Sequence, residues 1–295
     1  MSNFKRYLNM YTFESELPSD GSIVKYKPIT TGQIKKLLLY ETSDDPSSIE
    51  EALDELINEC VVFPEDFDVK SMYLQDRFFL LVEIRRATKG SNYTFQTKCP
   101  ECDSQTSHTI NLGELPLKKM DRIKISPPIE EEPVDKTPKK KAKKGSSISL
   151  IEVGKEPKKV EIITTKVDDD WNIIKINDNL YIRIELITRQ IQLDALEILK
   201  NSTKNTELTE LQRAVMLSTI TNALCIKSVI TPEGEEEIDI NDRIYLLDNL
   251  TQDEMAKLTE WFESKDFGLD FTIPIKCEHC GNSTKREIPL DSFFY

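Results

Sequence analysis

Six cysteines occur in this chain of 295 residues, and four of them form two pairs of one type, Cys99-Pro-Glu-Cys102 and Cys277-Glu-His-Cys280. Two residues between paired cysteines, carried on a tight turn, aim both sulfurs at one point, as a tetrahedral zinc site requires. One pair supplies two ligands, and structural zinc takes four. The expectation is that Cys99, Cys102, Cys277 and Cys280 converge on one structural Zn2+ per chain. Competing readings are two separate pairs, metal-free or oxidised, and a site in which His279 replaces a cysteine. The span between the pairs is far longer than in a compact zinc ribbon, so spacing alone does not choose.

Other residue types offer less chemistry. The histidines number two, His108 and His279, and the chain has neither a glycine-rich phosphate loop nor a nucleophile-elbow sequence. Asp168-Asp-Asp170 has the donors for Mg2+, but beside a charged linker it reads as a solvated turn. A catalytic zinc has three protein ligands and an open position, whereas four cysteines describe a closed site. The chain is therefore read as a non-enzyme, with no catalytic residue and no small-molecule substrate. Cys60 and Cys225 lie singly on apolar helix faces and are expected in the core, where free cysteine is commonly found.

The bulk charge narrows the partners. A net charge of -13 disfavours nonspecific nucleic-acid binding, which draws on an excess of Lys and Arg. No run of about 18 apolar residues suggests a membrane span, and no signal-peptide core follows Met1. Folding in a reducing compartment is expected, where paired cysteines more often hold metal than form disulfides.

Each cysteine pair sits between two strand-like runs, and similar elements lead up to both. In the first part, two alternating runs around Pro18-Ser-Asp-Gly21 predict a hairpin. A short helix over 33–41 follows, capped by Thr30 or Thr31. Ile49, Ala52, Leu53, Leu56, Ile57 and Cys60 then recur at the spacing of one buried helical stripe. A helix over 70–88, apolar almost all round at its centre, ends at Gly90. After the first pair, residues 126–159 carry Glu130-Glu-Glu132 and the lysine run at 139–144 and read as a charged linker. The order then restarts, with a hairpin around Asn177-Asp-Asn179 and helices over 189–200 and 208–226. The second of these offers Leu211, Val215, Leu217, Ala223 and Leu224 as core candidates. An acidic insertion at 232–237 and a short helix over 242–248 come next. A helix over 253–264, capped by Thr251 with Glu254, ends the series before the second pair.

Local matches support a duplication. Ile29-Thr-Thr-Gly-Gln-Ile34 resembles Leu186-Ile-Thr-Arg-Gln-Ile191, Leu74-Gln-Asp76 resembles Thr251-Gln-Asp253, and Cys60 and Cys225 each end a second helix. The fold class expected is α+β, in two similar halves. Each half is a hairpin plus about three helices, closed by a strand–CxxC–strand knuckle. The expected boundaries are 1–125, a linker over 126–159, and 160–295. Approximate twofold symmetry would then bring the two knuckles to one metal. The aromatic run Phe293-Phe-Tyr295 is expected either to meet a partner or to pack back on its own half.

Several first-half motifs, in their order, carry a family resemblance. They are Glu16-Leu-Pro-Ser-Asp-Gly21, Lys25-Tyr-Lys-Pro28, Leu37-Leu-Leu39, Glu59-Cys60, Asp68-Val69 with Asp76, Ile84-Arg-Arg86 and Cys99-Pro-Glu-Cys102. Together they resemble the T4-like bacteriophage baseplate hub protein family over residues 16–117, and more faintly over 171–191. The resemblance implies a non-enzymatic hub subunit or hub assembly factor whose partners are other phage baseplate or tail proteins. It implies a place in the host cytoplasm during assembly and in the tail baseplate of the virion. The lysine-rich linker and the second knuckle lie outside the matched motifs. The alternative is a zinc-ribbon nucleic-acid-binding or transcription regulatory protein, touching phosphates through Lys276, Lys285 and Arg286.

Overall fold

The computed structural model describes residues 11–41, 46–122, 162–167, 171–204, 208–289 and 293–294. The linker at 126–159 and Asp168-Asp-Asp170 lie outside the described residues. The first hairpin pairs β1 (Phe13–Glu16) with β2 (Ile23–Tyr26), Phe13 opposite Tyr26. Period-two alternation turns Val24 and Tyr26 inward and leaves Ile23 exposed. Helix α1 (Thr31–Glu41) starts on a reciprocal cap, with Thr30 Oγ1 accepting from Gln33 N and Gln33 Oε1 from Thr30 N. Helix α2 (Pro46–Cys60) buries Ala52, Leu56, Ile57 and Cys60, the stripe seen in the sequence.

Strand β3 (Val61–Phe63) then returns alongside β2, giving the order β1-β2-β3. The expected helix over 70–88 divides in two. Val69–Ser71 forms a single 3-10 turn capped by Asp68, and α3 (Leu74–Lys89) begins after Tyr73. Helix α3 is buried through its centre, at Phe79, Leu80, Leu81, Val82 and Ile84. Gly90, at φ 81°, ends it.

Next comes the hairpin of β4 (Asn92–Lys98) and β5 (Gln105–Asn111), then β6 (Leu117–Arg122). Strand β7 (Ile162–Val167) lies parallel to β6. The second hairpin, β8 (Ile173–Asn177) with β9 (Leu180–Ile184), is followed by α4 (Arg189–Ser202) and α5 (Glu210–Cys225). Strand β10 (Ile226–Thr231) joins β9, and the acidic insertion forms β11 (Gly234–Glu236) on its other side. Helices α6 (Ile240–Asn249) and α7 (Gln252–Ser264), the latter with the expected Thr251–Glu254 capping box, lead to β12 (Gly268–Leu269). The chain closes on β13 (Thr272–Lys276) and β14 (Ser283–Glu287).

Three of the five core candidates on α5 reach the core: Ala223 is buried, and Leu217 and Leu224 pack against buried residues. Leu211 and Val215 are 74% and 58% exposed, while Ile220, Ala223 and Cys225 are buried. The stripe that packs on α4 passes through Met216, Ile220 and Leu224, on the other side of the helix from Leu211 and Val215. A run of apolar residues on both faces gave no way to choose between them.

Two parts of the chain meet along a defined seam. Leu74 N donates to Ile187 O at 3.2 Å and Arg189 N to Met72 O at 2.9 Å, flanking a bridge between Tyr73 and Thr188. Strand β12 pairs with β6, and Gly268 is forced there. Its φ is 97°, and a Cβ would lie 3.0 Å from Gln75 Cβ at the start of α3.

The hydrophobic cores do not divide at the linker. Ile275, Ile288, Phe293 and Phe294 belong to the same core as Leu56, Leu80, Tyr93 and Leu112. Phe293 is therefore buried in a core to which both early and late parts of the chain contribute. Its ring meets Tyr93 edge-on at 5.2 Å, its carbonyl accepts from Arg85 Nε at 3.1 Å, and Tyr93 Oη donates to Pro289 O at 2.6 Å. Phe293→Ala should lower stability to urea by about 3–5 kcal/mol, as for other buried phenylalanines. A loss below about 1 kcal/mol would show that the ring is not part of this core.

Candidate metal centre

Each cysteine pair caps a two-stranded ribbon. Strands β4 and β5 run in register from Asn92–Asn111 to Lys98–Gln105, and β13 and β14 from Thr272–Glu287 to Lys276–Ser283. The two turns are built alike. Cys99 N donates to Ser104 O and Asp103 N to Cys99 O; Cys277 N donates to Asn282 O and Gly281 N to Cys277 O. The residue after each second cysteine has a left-handed backbone, Asp103 at φ 56° and Gly281 at φ 76°. Glycine takes that conformation freely and aspartate takes it more readily than most residues. Cys102-Asp103 and Cys280-Gly281 were thus a readable signal for this turn, beyond the spacing itself.

The ribbons bring all four sulfurs together. The Sγ atoms of Cys99, Cys102, Cys277 and Cys280 lie within 4.8 Å of one another. Cys99 Sγ is 3.6 Å from Cys280 Sγ, and Cys102 Sγ is 3.7 Å from Cys277 Sγ. Four sulfurs about 2.3 Å from a tetrahedral zinc would be about 3.8 Å apart, so the cluster fits such an ion closely. A disulfide would bring two of them to about 2.05 Å, and all six cysteines are free thiols. His279 is exposed outside this group, and His108 instead contacts Thr97 Oγ1 through Nε2 at 3.0 Å.

The sulfurs do not share one electrostatic setting. A hydrogen bond with Ser104, followed by the Cys280 and His279 amides, brings the Cys277 thiol down to about 5. The Ser104 hydroxyl and amide also lower Cys102. The Asn282 amide pulls Cys280 down, but desolvation and its three sulfur neighbours outweigh it and push that thiol up to about 12. Ser104, 2.9 Å from Cys102 Sγ and 3.3 Å from Cys277 Sγ, belongs to the site and was not singled out from sequence. Thiolates packed this closely repel one another; a divalent cation held by the four cysteines would reverse that balance and keep them deprotonated. Four sulfur ligands fill a tetrahedron and leave no position for a reacting water.

The unpaired cysteines contrast with these. Burial pushes both Cys60 and Cys225 up to about 12, which keeps them protonated in the core, as expected of them.

A second cluster, also missed from sequence, lies on the seam. Asp54 of α2 accepts from Arg77 Nε of α3 at 2.6 Å and from Arg189 Nε of α4 at 2.7 Å. All three residues are buried. Glu50 completes the group, its carboxylate 3.0 Å from Arg77 Nη2. The available signal was Asp54 itself, a carboxylate next to Leu53 at the edge of an otherwise apolar stripe.

Fold and site together define an α+β protein whose two cysteine ribbons, far apart in sequence, meet at one cluster. Over residues 9–294 the chain matches the family model described as T4 bacteriophage base plate protein. It belongs to that family. Neither curated proteins nor solved structures give a match.

Proposed function

We propose that this protein is a baseplate hub protein, a structural subunit or assembly factor rather than an enzyme, and that one Zn2+ held by Cys99, Cys102, Cys277 and Cys280 fixes its shape. The observation that carries the reading is the four-sulfur cluster, two sulfurs from each of two ribbons far apart in a chain matched almost throughout to a baseplate family. Its task is to present surfaces to other baseplate and tail proteins. A closed tetrathiolate site stabilises folded structure outright, which suits a part that must keep its contact faces in register.

The chain is read as two similar halves, 1–125 and 160–295, joined by a charged linker over 126–159. Both halves run hairpin, helix, helix and returning strand and later a helix that leads to a ribbon, the second adding β11 and α6 in between. Matching details favour this. Lys27 N donates to Cys60 O and Glu185 N to Cys225 O, each at 2.9 Å, tying the hairpin to the end of the second helix. Leu112 N donates to Ser91 O and Ile288 N to Phe271 O, closing each ribbon at its base.

Among the described residues, no helix is long and apolar enough to cross a membrane. The protein is placed in the host cytoplasm during assembly and, as a hub subunit, in the virion baseplate. Mass spectrometry of purified particles and of tail intermediates from infected cells tests this. Presence in both marks a hub subunit, and presence in intermediates alone marks an assembly factor. Absence from both would overturn the reading.

A further inference from the structure

A groove of about 540 Å3 opens between the β1–β2 turn, the end of β3 and the loop that follows. Its volume lies in the range of roughly 300–1,000 Å3 usual for binding clefts. Two apolar side chains line it and are half exposed: Ile23 is 48% exposed and Phe63 is 49% exposed. They share one face of the sheet, because Phe63 pairs with Lys25, two residues from Ile23. Phe67 lies deeper, and Asp20, Asp66 and Asp68 add carboxylates; among the described residues, no Lys, Arg or His lines the groove. Lys25, across from Phe63, directs its ammonium to Glu14 at 3.6 Å.

The sheet beside the groove is open as well. Strand β10 is flanked by β9 and β11, whereas β3 is flanked by β2 alone among the described residues. An extended segment running beside β3 would gain main-chain partners there.

We propose that this groove docks an extended peptide segment of another protein that alternates apolar with cationic residues. The apolar side chains seat against Ile23, Phe63 and Phe67, and the Lys or Arg side chains face Asp20, Asp66 and Asp68. Charge complementarity selects that occupant over an acidic or neutral one. The inference deepens the reading of the protein as a contact scaffold and rests on that reading, but it does not depend on the metal. It can fail while particle mass spectrometry still finds the protein in tails, and the reverse also holds.

The test is fluorescence anisotropy on the full chain at low salt. The probes are a fluorescein-labelled peptide alternating lysine with leucine and a matched peptide alternating glutamate with leucine. The lysine peptide should bind and the glutamate peptide should not. Phe63→Ser and Asp66→Lys should each weaken binding about tenfold or more, as expected for central interface residues. Ile23→Ser is a second apolar variant; all three side chains are exposed enough to spare folding, which circular dichroism checks. Equal binding of both peptides, or binding indifferent to all three substitutions, would overturn the proposal. The chain's own lysine run at 139–144 is a rival occupant. Unchanged affinity after its lysines are replaced by serine supports an external partner; a rise of about tenfold would assign the groove to the chain itself and overturn it.

Discussion

Cys277→Ser is expected to empty the whole metal site, and Cys99→Ser to do the same, although they lie in different ribbons. Metal analysis of the purified wild-type chain should give about one zinc, and either variant close to none after dialysis against a mild chelator. The reason is geometric. Each ribbon alone offers two sulfurs, and the short contacts, Cys99 with Cys280 and Cys102 with Cys277, all cross from one ribbon to the other. The stability effect should be among the largest from any single substitution in the chain. Apparent binding free energies of structural zinc in small domains reach about 10–16 kcal/mol near neutral pH, and losing one of four ligands forfeits a large share. Cys60→Ser provides the control, since that buried thiol lies outside the cluster. If Cys277→Ser kept its full metal content, the shared site would be wrong.

Asp54→Ala should cost about 3–5 kcal/mol in urea unfolding, through a different mechanism. It removes the carboxylate that two buried guanidiniums share, leaving Arg77 with Glu50, and Arg189 with the Gln192 side chain and the Glu50 carboxylate only at 4.0 Å. An uncompensated charge in the interior is expensive, and neither arginine reaches water without opening the seam. Asp54→Asn should recover little, because a neutral amide cannot balance the two cations. By contrast, replacing Asp54, Arg77 and Arg189 together with apolar residues of similar volume should cost less than Asp54→Ala alone. A loss under about 1 kcal/mol for Asp54→Ala would show that the network adds little to the seam.

Much of the local structure was legible because it is local. Apolar spacing in α2, the Thr251–Glu254 box and the turn chemistry of the first hairpin act over a few residues and place elements to within a turn. The cysteine pairs were legible for the same reason. What escaped was set by distant partners. Strand β3 is three residues long, β10 carries no clean alternation, and β6 and β7 reveal nothing of their pairing until they meet. Helix α5 was apolar on two faces, so only its neighbours decide which one is buried. Asp54, Arg77 and Arg189 look like ordinary surface charges until α2, α3 and α4 converge. Nor did anything in Phe293 say which core would take it.

That last placement sets an order in time. The core around Leu56, Leu80 and Leu112 is made early in synthesis, yet it lacks Ile275, Ile288, Phe293 and Phe294. More than 160 residues separate Leu112 from Ile275, and at roughly 5–20 residues per second that is a wait on the order of ten seconds. During that time the ribosome carries a partly open apolar face and two of the four clustered cysteines. The stretch that carries Ile275, Ile288, Phe293 and Phe294 should therefore act as a late checkpoint: a product truncated before it would keep that face uncovered.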